Sequence, residues 1–260
     1  MKTALITGAC LNTGVAIVEK FASEGYNVVF TGRNAQTVIE KEKEYRQKFP
    51  NVNVIGYQID SLIDEKTVDE KAVENMFNDM DSRGIFIETL VLNAADQGLG
   101  QNLFTSPLTD FMKVINTNVV WNFCLSKYAS ERMVKNGGGN IVFVNSNTAY
   151  RAIPDRVSYV SSKGGQLGLM RALAIDLGKY NIRVNAVLPG MIKTDRWVKN
   201  PDFYKNVPSR FTPLGEVAVG EDVADAVYYF AAHAKNTTGA ELVVDGGNTV
   251  QLYPIIPKEV

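Results

Sequence analysis

Apolar and polar positions along the chain follow two alternating rhythms. Short runs rich in β-branched and aromatic residues recur at Thr3–Thr7, Asn27–Thr31, Val52–Ile59, Thr89–Asn93, Asn140–Ser146, Arg183–Leu188 and Glu241–Val244. Between them the apolar positions repeat with a helical period: in 66–81, Ala72, Val73, Met76, Phe77 and Met80 fall on one face. Strands alternating with helices predict an α/β fold, a doubly wound parallel sheet of about seven strands with helices on both faces, because each parallel crossover is right-handed and must be covered. Uninterrupted apolar cores such as Ile141-Val142-Phe143-Val144 suit strands buried on both sides. Ligands of such sheets sit at the carboxyl ends of the strands, near the switch in strand order. The informative residues should therefore follow strands.

Composition narrows the class. The chain has 260 residues, 45% of them hydrophobic and 21% charged, with a formal net charge of −1. That length fits one domain, 1–260, with no repeat or long linker; Gly137-Gly138-Gly139 reads as a helix–strand turn. A near-neutral chain supplies no field for gripping nucleic acid or a membrane surface. No apolar run reaches the ~20 residues of a membrane span, and the N-terminal apolar stretch is too short for a signal h-region. Two cysteines, Cys10 and Cys124, fit a reducing, cytoplasmic setting and make no metal spacing, so no metal is expected. The acid-rich segment 60–81 keeps its apolar stripe, so its charges read as the solvated face of a helix.

The first strand runs into Thr7-Gly8-Ala9-Cys10-Leu11-Asn12-Thr13-Gly14, followed by helical Val15-Ala16-Ile17-Val18. Gly8 permits a tight turn and Gly14 close helix–strand packing. The helix N-terminus then offers N–H groups to a pyrophosphate, although a plain β–turn–α connection with two glycines reads the same way. A dinucleotide fold usually carries an acid some 20 residues further on, at the ribose 2′-OH. Here strand two ends Thr31-Gly32-Arg33-Asn34: Gly32 leaves space, and the Arg33 fork suits a 2′-phosphate. NADP(H) is therefore favoured, with NAD(H) the alternative.

Tyr159 and Lys163 stand four apart at the start of a helical stretch and share a face. Ser146 ends strand five, placing its hydroxyl at the carboxyl edge, and strand four ends at Asn93-Ala94. Asn118 is an amide among apolar Val114, Ile115 and Val119, either a bonded core polar or part of a relay. Pro189-Gly190-Met191-Ile192-Lys193-Thr194 follows strand six as a turn able to reach the far end of a cofactor.

With these residues in place the chain resembles the short-chain dehydrogenase/reductases, in their compact single-domain, Rossmann-like form, from Thr3 to about Gly247. Thr7, Gly8 and Gly14 match the family's glycine turn, Asn93-Ala94 its Asn-Asn-Ala-Gly segment, and Asn118, Ser146, Tyr159 and Lys163 its catalytic set. Pro189, Gly190 and Thr194 match the nicotinamide-side turn, and Asp60 the acid beside adenine; Asn12, Thr13, Ser61 and Ile192 complete the cofactor-binding positions the resemblance implies. Two departures stand out: Asn12 replaces the turn's middle glycine, and Leu92 and Ala95 replace the first Asn and the Gly of the second segment. The resemblance further implies a homotetramer, with the Tyr159 helix and the apolar tail within 248–260 at subunit contacts, and a mobile substrate lid over about 191–218.

The expected chemistry is hydride exchange between a nicotinamide and a carbonyl or secondary alcohol. Tyr159 exchanges the proton, and Lys163 stabilises tyrosinate and holds the ribose. Ser146 binds the substrate oxygen, and Asn118 supports a water chain. A lysine cation ~4 Å away is worth about 4 kcal/mol at an effective dielectric near 20, which against desolvation places the phenol at roughly 7–9. Asp96, Gln97, Asn147, Tyr150, Arg151, Arg196 and Trp197 are the expected substrate-lining positions. Their polarity favours a small-molecule hydroxy/keto substrate such as a sugar or sugar acid, with Arg151 or Arg196 for an anion. A 3-oxoacyl thioester and a steroid or bile acid are the alternatives, and a cofactor-binding scaffold or sensor the non-enzyme one. His233, the lone histidine, stands far along the chain from this set, which leaves Ser146 without a hydrolase triad.

Overall fold

Successive side chains of a strand point to opposite faces of its sheet, so a strand covered on both faces must be apolar throughout. The computed structural model, which describes residues 1–64, 66–205 and 207–254, follows this rule. Its strands are β1 (Thr3–Ile6), β2 (Asn27–Gly32), β3 (Val54–Gln58), β4 (Thr89–Leu92), β5 (Gly139–Val144), β6 (Ile182–Pro189) and β7 (Glu241–Val244). Ala4, Ile6, Val28 and Phe30 enter one core, and their neighbours Leu5 and Val29 enter the other with Leu90 and Leu92. All pairings are parallel, in the order β3-β2-β1-β4-β5-β6-β7.

The helices are α1 (Thr13–Ser23), α2 (Ala35–Lys48), α3 (Glu70–Ser82), α4 (Leu108–Ile115), α5 (Trp121–Lys135), α6 (Val157–Gly178), α7 (Asp195–Lys199), α8 (Pro201–Tyr204), α9 (Val207–Phe211) and α10 (Gly220–Tyr228). Residues of α1, α2 and α10 fill the first core, and those of α3, α5 and α6 the second. In α3, Val73, Met76, Phe77 and Met80 are buried as their spacing predicts, and the Asp69 carboxylate caps the helix by accepting from Ala72 N–H at 2.8 Å. A π-turn over Asn116–Val120 joins α4 to α5.

The strands match the sequence-predicted runs to within two residues at each end. The excess is two residues before β3 and two after β5, where Asn145 and Ser146 leave the ladder to enter a short 3₁₀ turn at Asn147–Ala149. The chain departs from β1 toward β2 and returns to β1's other side as β4. That switch opens a crevice beyond the carboxyl ends of β1 and β4. Among the described residues no helix is long and apolar enough to cross a membrane, and no acid, cysteine or histidine cluster could hold a metal. Cys10 and Cys124 are both free and buried.

Candidate active site

The crevice is a single cleft of about 870 Å³. At one end lies the turn after β1. A Cβ on Gly14 would stand 2.3 Å from the Gly8 carbonyl and 2.8 Å from Ala9 Cα, so only glycine lets α1 begin this close to the strand. The Asn93 amide donates to the carbonyls of Thr7 (3.0 Å) and Gly8 (3.1 Å), while Thr7 Oγ1 accepts from the N–H groups of Asn93 and Ala94. The two strand ends flanking the switch are thereby tied together. Asn12 takes φ 46°, ψ −125°, a glycine-favouring conformation, which explains why a glycine is usual there. It lines the cleft with Gly8, Thr13 and Gly14 and does not block it.

Arg33, exposed at the end of β2, lines the same cleft, and its guanidinium makes no ion pair among the described residues. Gly32 plays a different part from the one expected. A Cβ there would meet the Cys10 thiol at 2.5 Å and Val38 at 2.8 Å, so the missing side chain makes room for protein, not for a ribose. Ser61 lines the cleft and its hydroxyl meets Thr117 Oγ1 at 3.1 Å. Asp60 is exposed beside the cleft and not among its lining residues; its carboxylate takes long 3.4 Å bonds from Ser61 Oγ and Leu62 N–H. Pro189, Gly190, Ile192 and Thr194 line the opposite wall beyond β6.

At the far end the predicted catalytic residues converge. The Ser146 hydroxyl acts on the Tyr159 phenol, and Lys163 Nζ lies 5.5 Å from the Tyr159 ring centroid. Ser146 caps the 3₁₀ turn by accepting from Thr148 N–H, which fixes its hydroxyl at the cleft wall. Lys163 is only 1% exposed and donates to the Val144 carbonyl (3.1 Å) and Gln166 Oε1 (3.0 Å). Burial pulls its amine down to about 7. The phenol departs from expectation: burial pushes it above its usual value, against the opposing Ser146 hydrogen bond and Arg156 charge. The lysine does not depress it because the amine is aimed at two neutral oxygens and is itself desolvated.

Asn118 sits in the π-turn with its side chain fully engaged: Nδ2 donates to Asp96 O (2.8 Å) and Ser162 Oγ (2.9 Å), and Oδ1 accepts from Asp96 N–H (2.7 Å). Its own carbonyl accepts from Gln166 Nε2 (2.7 Å) and Asn122 Nδ2 (2.9 Å). Two protein amides thus occupy acceptor directions of that carbonyl. Gln166 and Asn145 were missed by sequence reasoning. Both were detectable as amides one helical turn from Lys163 and one residue before Ser146.

The expected substrate positions divide. Asp96, Gln97 and Trp197 line the cleft. Asn147, Tyr150 and Arg151 do not: Asn147 binds Asp245 and Asn248, Tyr150 bonds Glu241, and Arg151 grips the carbonyls of Asn248, Thr249 and Gln251. These three leave the cleft because the 3₁₀ turn carries them toward β7 and the C-terminal segment. The Arg196 side chain, and Ile255, Ile256 and Pro257 of the tail, lie outside the described residues.

The family model described as enoyl-(acyl carrier protein) reductase matches residues 8–249. An uncharacterized oxidoreductase of Thermotoga maritima is 31% identical over 258 residues, covering 96% of this chain and 97% of its own. A 7α-hydroxysteroid dehydrogenase solved with NADH and 7-oxo glycochenodeoxycholic acid superposes with TM-score 0.84 at 30% identity, over 95% of this chain and 93% of its own. The L-sorbose reductase of Gluconobacter frateurii, solved with NADPH and L-sorbose, superposes with TM-score 0.88 at 25% identity, over 96% and 97%. A dinucleotide-type switch point, a glycine turn and a converged Ser-Tyr-Lys end, matched along nearly the whole chain, make this protein an oxidoreductase of the short-chain dehydrogenase/reductase family.

Proposed function

We propose that the chain reduces a neutral, polar ketone, of the keto-sugar or polyol type, with NADPH. The observation that carries the reading is the continuity of one cleft. It runs from the α1 N-terminus and Arg33 to Ser146, Tyr159 and Lys163, and so matches an extended dinucleotide with its reactive ring beside the tyrosine. The bound nicotinamide supplies the hydride. Everything else falls to this chain's residues.

The glycine turn and the N-terminus of α1 receive the pyrophosphate, and Arg33 receives a 2′-phosphate. Ser146 positions the carbonyl oxygen by a hydrogen bond. Tyr159, held as a neutral phenol by burial, donates its proton to the oxygen as charge develops there. Lys163 holds the ribose hydroxyls with the amine direction that its two protein acceptors leave open. Asn118 holds the Asp96 backbone, and with it one wall of the substrate end.

Asp96 supports the choice of a neutral substrate. It is the one carboxylate among the described lining residues, while Arg151, the expected anion partner, is taken up by the C-terminal segment. Asp96 would repel the carboxylate of a sugar acid. The likeness to an L-sorbose reductase supports the polar class. A panel of L-sorbose, a 3-oxoacyl thioester and a 7-oxo bile acid, each with NADPH and NADH, tests the reading. The expected result is ketose reduction at least ~10-fold faster with NADPH, the preference one charged contact of about 1.4 kcal/mol or more would give. Turnover confined to the thioester or the bile acid, or equal use of NADH, overturns it.

We also propose a homotetramer working as one catalytic domain per chain in a reducing, cytoplasmic setting, the last supported by the two free thiols. The α4–α5 edge exposes Leu108 (74%), Met112 (44%) and Phe123 (51%), and α6 exposes Ile175 (83%), apolar surface that a second copy would cover.

A further inference from the structure

The buried face of α6 changes character along its length. Its second half is apolar, with Leu167, Met170 and Ala174, whereas its first half buries Ser158, Ser162, Lys163 and Gln166. Buried polar groups persist only when bonded. Ser162 and Lys163 belong to the network already described, and Ser158 bonds the Gln101 side chain. Gln166 belongs to no expected set, yet it is 1% exposed and makes three hydrogen bonds.

Those bonds determine which way its amide faces. Nε2 donates to the Asn118 carbonyl at 2.7 Å, which no carbonyl oxygen could do. Oε1 accepts from Lys163 Nζ at 3.0 Å and from Asn145 Nδ2 at 3.1 Å. A flipped amide would set N–H groups against both an amine and an amide N–H. Asn145 in turn donates to the Lys163 carbonyl at 3.0 Å and accepts from Ser146 N–H at 2.7 Å. The carboxamide of Gln166 therefore joins β5, α6 and the π-turn before α5 at one point.

We propose that Gln166 is the positioning residue of Lys163, its carboxamide bridging the lysine amine and the Asn118 carbonyl so that the amine's remaining direction is kept for the cofactor ribose and the phenol. With Val144 O on a second direction, the ammonium has two of its three donors fixed by protein. The inference rests on the reading of Lys163 as the ribose-holding cation.

The groups around the amine are few. From β5 it meets the Val144 carbonyl, and from α6 Gln166 and the Tyr159 ring, with Arg156 acting on that phenol. Arg33 and Asp96 are the other charged side chains lining the cleft. Among the described residues no carboxylate is a hydrogen-bond partner of the amine, so the Gln166 oxygen is one of two acceptors favouring its charged form.

The test is the pH dependence of NADPH affinity, followed by nucleotide fluorescence on the full chain from pH 5.5 to 9.5. Lys163→Met serves as the reference without the titrating group. Affinity that depends on the ammonium falls as pH rises through the lysine's midpoint. Gln166→Met fills a similar volume without an acceptor and moves that midpoint to lower pH by about one unit, so the loss appears as up to about tenfold weaker binding near pH 8 and at most about twofold near pH 6. Gln166→Glu keeps an acceptor oxygen and returns the midpoint to the wild-type position or above it. A folded Gln166→Met whose midpoint coincides with wild type overturns the proposal while leaving the role of Lys163 standing. A wild-type profile indistinguishable from that of Lys163→Met overturns both.

Discussion

Lys163 carries a cost that only function explains. An amine buried to 1% exposure between neutral oxygens titrates near 7 instead of its usual 10.5, so between those values the unfolded chain binds more protons than the folded one. The sign follows: stability is complete above about 10.5, declines as pH falls toward 7 and levels off below it. Lys163→Met should therefore melt higher than the wild type near pH 6–7, with the gap narrowing as pH rises toward 10; calorimetry over that range checks it, and a gap independent of pH contradicts it. Asn12 carries a smaller strain. Its φ of 46° is costly for a side-chain-bearing residue, so Asn12→Gly should stabilise the chain by about 1 kcal/mol, raising Tm by roughly 2–4 °C without weakening NADPH binding. Identities such as Tyr159, Lys163 and Ser146 were legible because each follows a strand or shares a helical face. Titration behaviour was not, since it depends on which oxygen an amine points at and how much water remains, and neither is encoded by spacing.

At the scale of elements, α6 and the C-terminal segment differ in how readable they were. The four-residue step from Tyr159 to Lys163 is a local fact of the helix, and the Gln166 step of three continues it on the same face. What the sequence pattern cannot say is that β5 and the π-turn come to that face from other parts of the fold. The same holds for Arg151. It follows the catalytic strand closely enough to be expected in the cleft, yet the 3₁₀ turn at 147–149 directs it to three carbonyls of 248–251. Gln251 Nε2 donates to Arg210 O, and Asn248 Nδ2 to Phe211 O at 2.7 Å, so the segment Arg151 holds is also tied to α9, part of the proposed substrate lid. Arg151→Met, which keeps an apolar stem but no donors, should release residues 248–254. Limited proteolysis should then cut there first, and the Michaelis constant for the carbonyl should rise severalfold with NADPH affinity unchanged. A tail as protected as in wild type contradicts the clamp.

Across the whole molecule, strand–helix alternation and doubly buried strand cores carried the fold, because a parallel sheet leaves few alternatives once each crossover is right-handed. The cleft followed from the switch between β1 and β4. The proposed subunit-contact surface on α4 and α5 was not legible from pattern: Leu108, Met112 and Phe123 occupy ordinary helical positions, and their exposure appears only when α4 and α5 are placed against the sheet. Light scattering should give four times the 28.6 kDa chain mass, and Phe123→Arg should lower it; a monomeric wild type contradicts the tetramer. Proton exchange by Tyr159 within that cleft is the central step of the proposed reaction. Its most direct test is NADPH oxidation by the ketone from the panel that wild type turns over fastest, compared with Tyr159→Phe at equal nucleotide saturation. The account predicts intact NADPH binding with turnover reduced by about 10²–10⁴-fold, the usual contribution of a positioned acid. Near-normal turnover by Tyr159→Phe would contradict it.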